Sequence, residues 1–160
     1  MSEPTTAQAA STFTMADALD GRSLAEAATF LNRGFAESIG LEFTEVSADR
    51  VNAHWEVGPH LFQPAGIVNG GVHCTVIETL ASIGGSVWFG DRGHVVGVNN
   101  NTDFLRATRS GILTATATPI HRGRTQQLWQ VQIVDAADRL VARGQVRLAN
   151  VEDTARLGDS

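Results

Sequence analysis

Cysteine is almost missing from this chain: Cys74 is the only one in 160 residues. That excludes an internal disulfide and any cysteine-built zinc site, and it fits a reducing compartment. Positive charge is also scarce. Twelve basic residues against seventeen acidic ones leave a formal net charge of −5. Such a balance argues against an electrostatic nucleic-acid binder and against a polybasic membrane binder. It leaves room for a local basic patch facing an anionic small molecule. The start, MSEPTTAQAASTF, has no positive region followed by an apolar run, so no signal peptide is read there. The one stretch long enough to suggest a membrane span is Val72–Phe89. It contains His73, Glu78, glycines and hydroxyls, whereas a span needs about 20 predominantly apolar residues. No membrane attachment is expected, and the cytoplasm is the expected compartment. Several motifs are missing as well. There is no G-x-S-x-G, which disfavours a serine hydrolase. There is no phosphate-cradling P-loop and no histidine pair with zinc-protease spacing, so no metal site is expected.

What is present reads as one globular domain. The composition is 42% hydrophobic and 18% charged, and the length allows a real core. Residues 1–22 are polar or small without period and read as a flexible arm. Ser23-Leu-Ala-Glu26 is a capping-box pattern, and Leu24, Ala27, Ala28, Leu31 and Phe35 follow at helical spacing. A helix over about 24–37 is predicted, ending before Gly40. The period then becomes two. Strands are predicted near 41–46 and 51–57, followed by a structured loop over 58–69 with two prolines. A long helix over 71–88 comes next. Strands are then predicted at 94–105, 111–121, 125–135 and 139–150, separated by ATRSG, HRGR and DAAD. In the last strand Leu140, Ala142, Gly144, Val146 and Leu148 share one face and Arg139, Arg143 and Arg147 the other. Residues 152–160 read as a frayed tail, which leaves a single domain over 23–151. The order predicts an α+β fold: a sheet of about six antiparallel strands beside one long helix. One helix leaves much of such a sheet uncovered, so the sheet is expected to curl around it and to pair with a second copy.

The long helix holds the oddest residue. In GIVNGGVHCTVIETLASIGGSVWFG, Glu78 is the only charged residue between Glu56 and Asp91. At 100° per residue, Val72, Val76, Leu80, Ile83 and Val87 form one arc, extended by Ile77 and Trp88. That arc is expected to face the sheet. The opposite side carries Gly71, Thr75, Glu78, Ser82 and Gly85, a stripe of small and hydroxyl residues that admits a ligand or another chain. A helical carboxylate is most often solvated, and a buried one can be inert. The functional alternative is a catalytic carboxylate in a partly dry cleft. Asn69-Gly70-Gly71 open the helix, where backbone N–H groups are unsatisfied and carry partial positive charge. They could form an oxyanion hole. A Gly-Gly pair alone is more often a turn. Its combination with a lone carboxylate two turns on is the informative part.

At this point FQPAGIVNGGVHCTVIETLAS, followed by NNTDFLRAT and HRGRT, resembles the hotdog-fold acyl-CoA thioesterases. The similarity is to the phenylacetate-degradation type and to the 4-hydroxybenzoyl-CoA thioesterase of soil bacteria, over residues 38–150. The resemblance implies a strongly curved antiparallel sheet around the central helix. It also implies dimers, usually paired into homotetramers, with sites at the subunit interface. By resemblance, Glu78 is the catalytic carboxylate, as nucleophile or general base, and Gly70 and Gly71 polarise the thioester carbonyl. Gln63 contacts the thioester or the water, and Ser82 positions the attacking water. Arg106 matches the arginine of an LRP segment, with Ala107 in place of proline. Gly123, Arg124 and Thr125 match a turn that contacts the nucleotide and phosphates of coenzyme A. Coenzyme A is then part of the substrate and no separate cofactor is implied. The family commonly has His-Gly-Gly where this chain has Asn69-Gly-Gly. Asparagine can hydrogen-bond but cannot carry a proton in turnover.

The reading that follows is a thioesterase acting on an aryl or medium-chain acyl-CoA. Two others compete. An acyl-thioester hydratase or dehydratase typically wants a histidine opposite the acid, and His60 is the only loop candidate. A non-catalytic acyl-CoA sensor usually carries a separate DNA-binding domain, for which residues 1–37 are too short and too acidic. Phe62, Trp88, Phe89 and Phe104 are candidates for shaping an acyl pocket.

Overall fold

The computed structural model describes residues 21–32 and 34–152. The flexible arm expected over 1–22 and the tail over 152–160 lie almost wholly outside them. Helix α1, Leu24–Leu31, starts on the expected capping box: the Ser23 hydroxyl accepts from the Glu26 amide while the Glu26 side chain returns to the Ser23 amide. It is shorter than the predicted 24–37. Asn32 leaves helical geometry, the chain turns through Gly34 at φ 69°, and a separate 3-10 turn covers Glu37–Ile39. The helix is thus already over at its C-cap Asn32, and Gly34, two residues on, takes up a left-handed conformation that most residues disfavour.

Strands β1 (Glu42–Val46) and β2 (Val51–Glu56) precede helix α2 (Gly70–Phe89). Four strands follow: β3 (His94–Phe104), β4 (Ile112–Arg122), β5 (Gln126–Asp135) and β6 (Leu140–Val151). They form one antiparallel sheet in the order β1-β2-β4-β5-β6-β3. Helix α2 packs on β2, β3, β4, β5 and β6. A single helix can touch five strands only if the sheet curls around it, so the architecture is the hotdog arrangement that the resemblance implies. Among the described residues no helix is long and apolar enough to cross a membrane.

The core lies between helix and sheet. Trp55, Trp129, Leu113, Ile133 and Leu148 from the strands close over Val76, Ile77, Leu80 and Ala81 of α2. The buried arc of α2 is rotated from the predicted one. Val72, Val76, Ile77 and Leu80 are buried as expected, and so are His73, Gly84 and Gly85, while Ile83, Val87 and Trp88 are only half-buried. The glycines explain the rotation. A Cβ on Gly84 would stand 2.7 Å from the Trp129 ring, and one on Gly85 would overlap Leu148. Their bare backbone lets the second half of α2 sink onto β5 and β6, which a pattern of side-chain hydrophobicity does not register.

Strand β3 is an edge strand, and a bulge shapes it. Its register with β6 slips between Gly97 and Asn99. Gly97 faces Leu148, Asn100 faces Val146 and Thr102 faces Gly144, and all three of those β6 residues are buried. Strict alternation would send Gly97 and Asn100 to opposite faces. The extra residue turns both toward α2.

Candidate active site

Glu78 sits on the flank of α2 that faces β3 and is half-buried. Its Oε2 accepts a hydrogen bond from Asn100 Nδ2 at 3.0 Å. The same Nδ2 donates to the Cys74 carbonyl at 3.0 Å, and Asn100 Oδ1 accepts from the Thr102 hydroxyl at 2.7 Å. Glu78 Oε1 rests over the Cα of Gly97, where any Cβ would overlap it. Among the described residues no cation pairs with Glu78. Ser82 lies one turn further along α2, also half-buried.

At the start of α2, Asn69 is the N-cap. Its Oδ1 accepts from the Gly71 amide at 2.8 Å. Of the two amides expected to be free there, that of Gly71 is therefore occupied, and the Gly70 N–H is the one left to a ligand. Asparagine serves as an acceptor here, because an N-cap side chain meets backbone donors. Gly70 opens onto a cleft of about 390 Å³ lined by Gln63, Ile67, Val68, His73, Phe104, Leu105, Arg106 and Ala107. The Gln63 side chain accepts from the Ala65 amide at 2.8 Å, which shapes the loop before the helix. A Cβ on Gly70 would stand 2.9 Å from the exposed Phe104 ring, which would have to swing aside to admit it.

His73 is a member of this cleft that the sequence reading left without a role. It is 4% exposed, its ring lies 6.1 Å from that of Phe104, and its Nδ1 is buried without a partner. Burial pushes its pKa down to about 4, because a dry site disfavours the charged ring. His60 is elsewhere, in a depression with Glu37, Glu42 and His54. The histidine that a hydratase reading relied on does not reach the cleft. Of the candidate pocket aromatics, Phe104 lines the cleft, whereas Trp88 and Phe89 stack under the Arg92 guanidinium at the far end of α2.

The single chain does not bring all the candidates together. Glu78 is not among the residues lining the cleft, and eight residues of helix, about 12 Å of rise, separate the Gly70 and Glu78 backbones. Arg106 stands at the cleft mouth, where its amide donates to the Val141 carbonyl at 3.0 Å. The Gly123–Thr125 turn joins the other ends of β4 and β5. The eleven residues of β4 run between these two places, a path of up to about 35 Å along the strand. Arg106 and Arg124 are both exposed, and neither forms an ion pair among the described residues. The turn is held from behind: Asn150 Nδ2 donates to the Gly123 and Arg124 carbonyls at 3.0 and 3.1 Å.

Comparison with known proteins places this geometry in a family. Residues 65–142 match the model of the thioesterase superfamily. A Mycobacterium tuberculosis protein that carries an esterase name is 53% identical over 121 residues, which is 74% of this chain and 86% of that protein. The 1,4-dihydroxy-2-naphthoyl-CoA hydrolase of Listeria monocytogenes is 32% identical, over 72% of this chain and 94% of its own. Among solved structures, a thioesterase from Haemophilus influenzae superposes with a TM-score of 0.75 at 33% identity, covering 80% of this chain and 90% of its own.

Proposed function

The chain belongs to the thioesterase superfamily, and on that premise we propose that it hydrolyses an aryl or medium-chain acyl-CoA to the free acid and coenzyme A. The observation that carries the reading is Glu78: a lone carboxylate, half-buried and held by a neutral amide, with no cation paired to it among the described residues. The thioester carbonyl oxygen takes the Gly70 amide, where charge developing in the transition state meets a fixed donor. Glu78 then attacks the carbonyl carbon, or removes a proton from a water that Ser82 orients. Collapse of the tetrahedral intermediate breaks the C–S bond. The thiolate leaves readily and takes up a proton. On the general-base route the oxygen of water ends in the acid at once; on the direct route a mixed anhydride of Glu78 and the acyl group remains, and water hydrolyses it to the free acid and the regenerated carboxylate. Gln63 lines the same cleft as Gly70, and its role is to contact the thioester or the water. Coenzyme A enters as part of the substrate, and the reading calls for no further cofactor.

The acyl group is assigned to the cleft at the start of α2. Ile67, Val68, Phe104 and Leu105 give it apolar walls, which suit a ring or a medium chain. The relative named for a naphthoyl-CoA supports the aryl option. The working enzyme is a homo-oligomer, a dimer or a pair of dimers, in the cytoplasm. Edge strand β3 favours this, because an unpaired edge is a ready template for a second copy. Val98, Phe104 and Leu105 are more than half exposed along and just beyond it. A copy docked there brings its own cleft toward Glu78. It also lets Arg106 of one chain and Arg124 of the other serve one coenzyme A.

Free-thiol release from aryl and aliphatic acyl-CoAs, with wild type beside Glu78→Gln, tests the reading. Loss of turnover by at least about a hundredfold, with binding retained, is expected. A wild type that binds acyl-CoA but releases no thiol from any of them sinks it.

A further inference from the structure

The hydrogen bonds around Glu78 are asymmetric, and the asymmetry has a chemical meaning. Resting on the reading of Glu78 as the reacting carboxylate, we propose that Asn100 is its positioning residue. It pins Oε2 and leaves Oε1 as the oxygen that reacts.

The orientation of the Asn100 amide follows from its neighbours. The Cys74 carbonyl, 3.0 Å from Nδ2, carries no proton and can only accept. The amide must therefore turn its NH2 group to the helix. Its two N–H bonds go to Cys74 and to Glu78 Oε2. The opposite end is closed by the Thr102 hydroxyl at 2.7 Å. A flipped amide would set its oxygen against the Cys74 carbonyl and the Glu78 carboxylate, two acceptors at once. Asn100 is thus locked at both ends, and it locks Glu78 in turn.

Among the described residues nothing donates a hydrogen bond to Oε1, and the bare Cα of Gly97 makes room for it. Asn100 holds the carboxylate as a neutral group, without supplying a cation that would bind it too tightly. The pieces come from the β3 bulge, which puts Gly97, Asn100 and Thr102 on one face. Among the described residues Glu78 forms no ion pair with any element packed on it.

Three variants test this: Asn100→Asp, Asn100→Leu and Thr102→Val, each read as kcat and KM against pH. Asn100→Leu removes the donor, and Asn100→Asp keeps the shape but replaces it with an acceptor. In both, kcat at pH 7 is expected to fall about tenfold or more, with KM within about twofold. Thr102→Val unfastens only the far end of the amide and is expected to show a smaller change of the same kind. If Asn100→Leu does not fold, Asn100→Asp and Thr102→Val carry the test. A kcat within about twofold of wild type in both Asn100 variants overturns the proposal, as does a loss confined to thermal stability. Glu78→Gln, run alongside, separates the two claims. Full turnover in that variant removes Glu78 from the reaction and the proposal with it. Abolished turnover with unaltered Asn100 profiles removes the proposal alone.

Discussion

His73 shows how one residue ties the cleft to pH. Its ring is almost wholly buried against Phe104, and burial holds its pKa near 4, against about 6.5 in an unfolded chain. The unfolded state therefore binds the proton more readily. Stability from this residue is complete above about pH 6.5 and is lost as pH falls toward 4. At pH 4.5 the loss is about 2.5 kcal/mol. Urea midpoints of wild type and His73→Leu, followed from pH 7.5 to 4.5, check it. The wild type is expected to lose more stability than the variant by about that amount, and parallel curves would refute the assignment. At neutral pH the ring is uncharged and walls the cleft as a polar but neutral surface. That suits a substrate whose negative charge resides in coenzyme A and not in the acyl group.

At the scale of elements, the β4–β5 turn is fastened to the core by a chain of amides. Asn150 holds the carbonyls of Gly123 and Arg124, and Gln127 Nε2 donates to Asn150 Oδ1 at 2.8 Å and to the Gly85 carbonyl at 3.2 Å. The indole of Trp129 donates to Gln127 Oε1 at 2.9 Å. The turn thus hangs from β6 and from α2 together. If it meets the nucleotide of coenzyme A, Asn150→Ala should raise KM for an acyl-CoA by about five- to tenfold, the worth of one or two hydrogen bonds. KM for the same acyl group on a short pantetheine thiol should not move. Equal effects on both substrates would make the turn a stability feature only. The contrast between turn and amide chain also marks what the sequence could reveal. Gly123, Arg124 and Thr125 were legible because a tight turn has a local signature. Gln127 and Asn150 were not, because their partners lie on other strands. Likewise Glu78 stood out as the lone charge of its segment, and Gly70 as the start of a helix. Asn100 did not, since a single bulged residue decides which face of β3 it joins. Strand and helix order, set by period and turn residues, could be read with boundaries off by a residue or two. The short α1 and the rotated face of α2 could not: α1 is over at Asn32 although the helical spacing runs on to Phe35, and the face of α2 depends on glycine backbone and not on the hydrophobic pattern.

At the scale of the whole molecule, the separation of parts within one chain points to a site shared between two. The free Gly70 amide and the acyl-sized cleft lie at the start of α2, and the carboxylate faces the open edge of the sheet two turns away. If Glu78 of one protomer works on a thioester held by Gly70 of its partner, two inactive variants can repair each other. Glu78→Gln loses the carboxylate, and Gly70→Val blocks the amide. A mixed dimer then has one site with both lesions and one site with neither. Random re-association makes about half of the dimers mixed, so about a quarter of the wild-type activity should return. The experiment is to unfold and refold the two variants together, with each refolded alone as the baseline, and to measure thiol release. A return near one quarter places the two residues in a site built by two chains. If the mixture never exceeds its components while size measurement shows mixed dimers, carboxylate and amide serve the thioester from a single chain, and α2 must bring them together by moving.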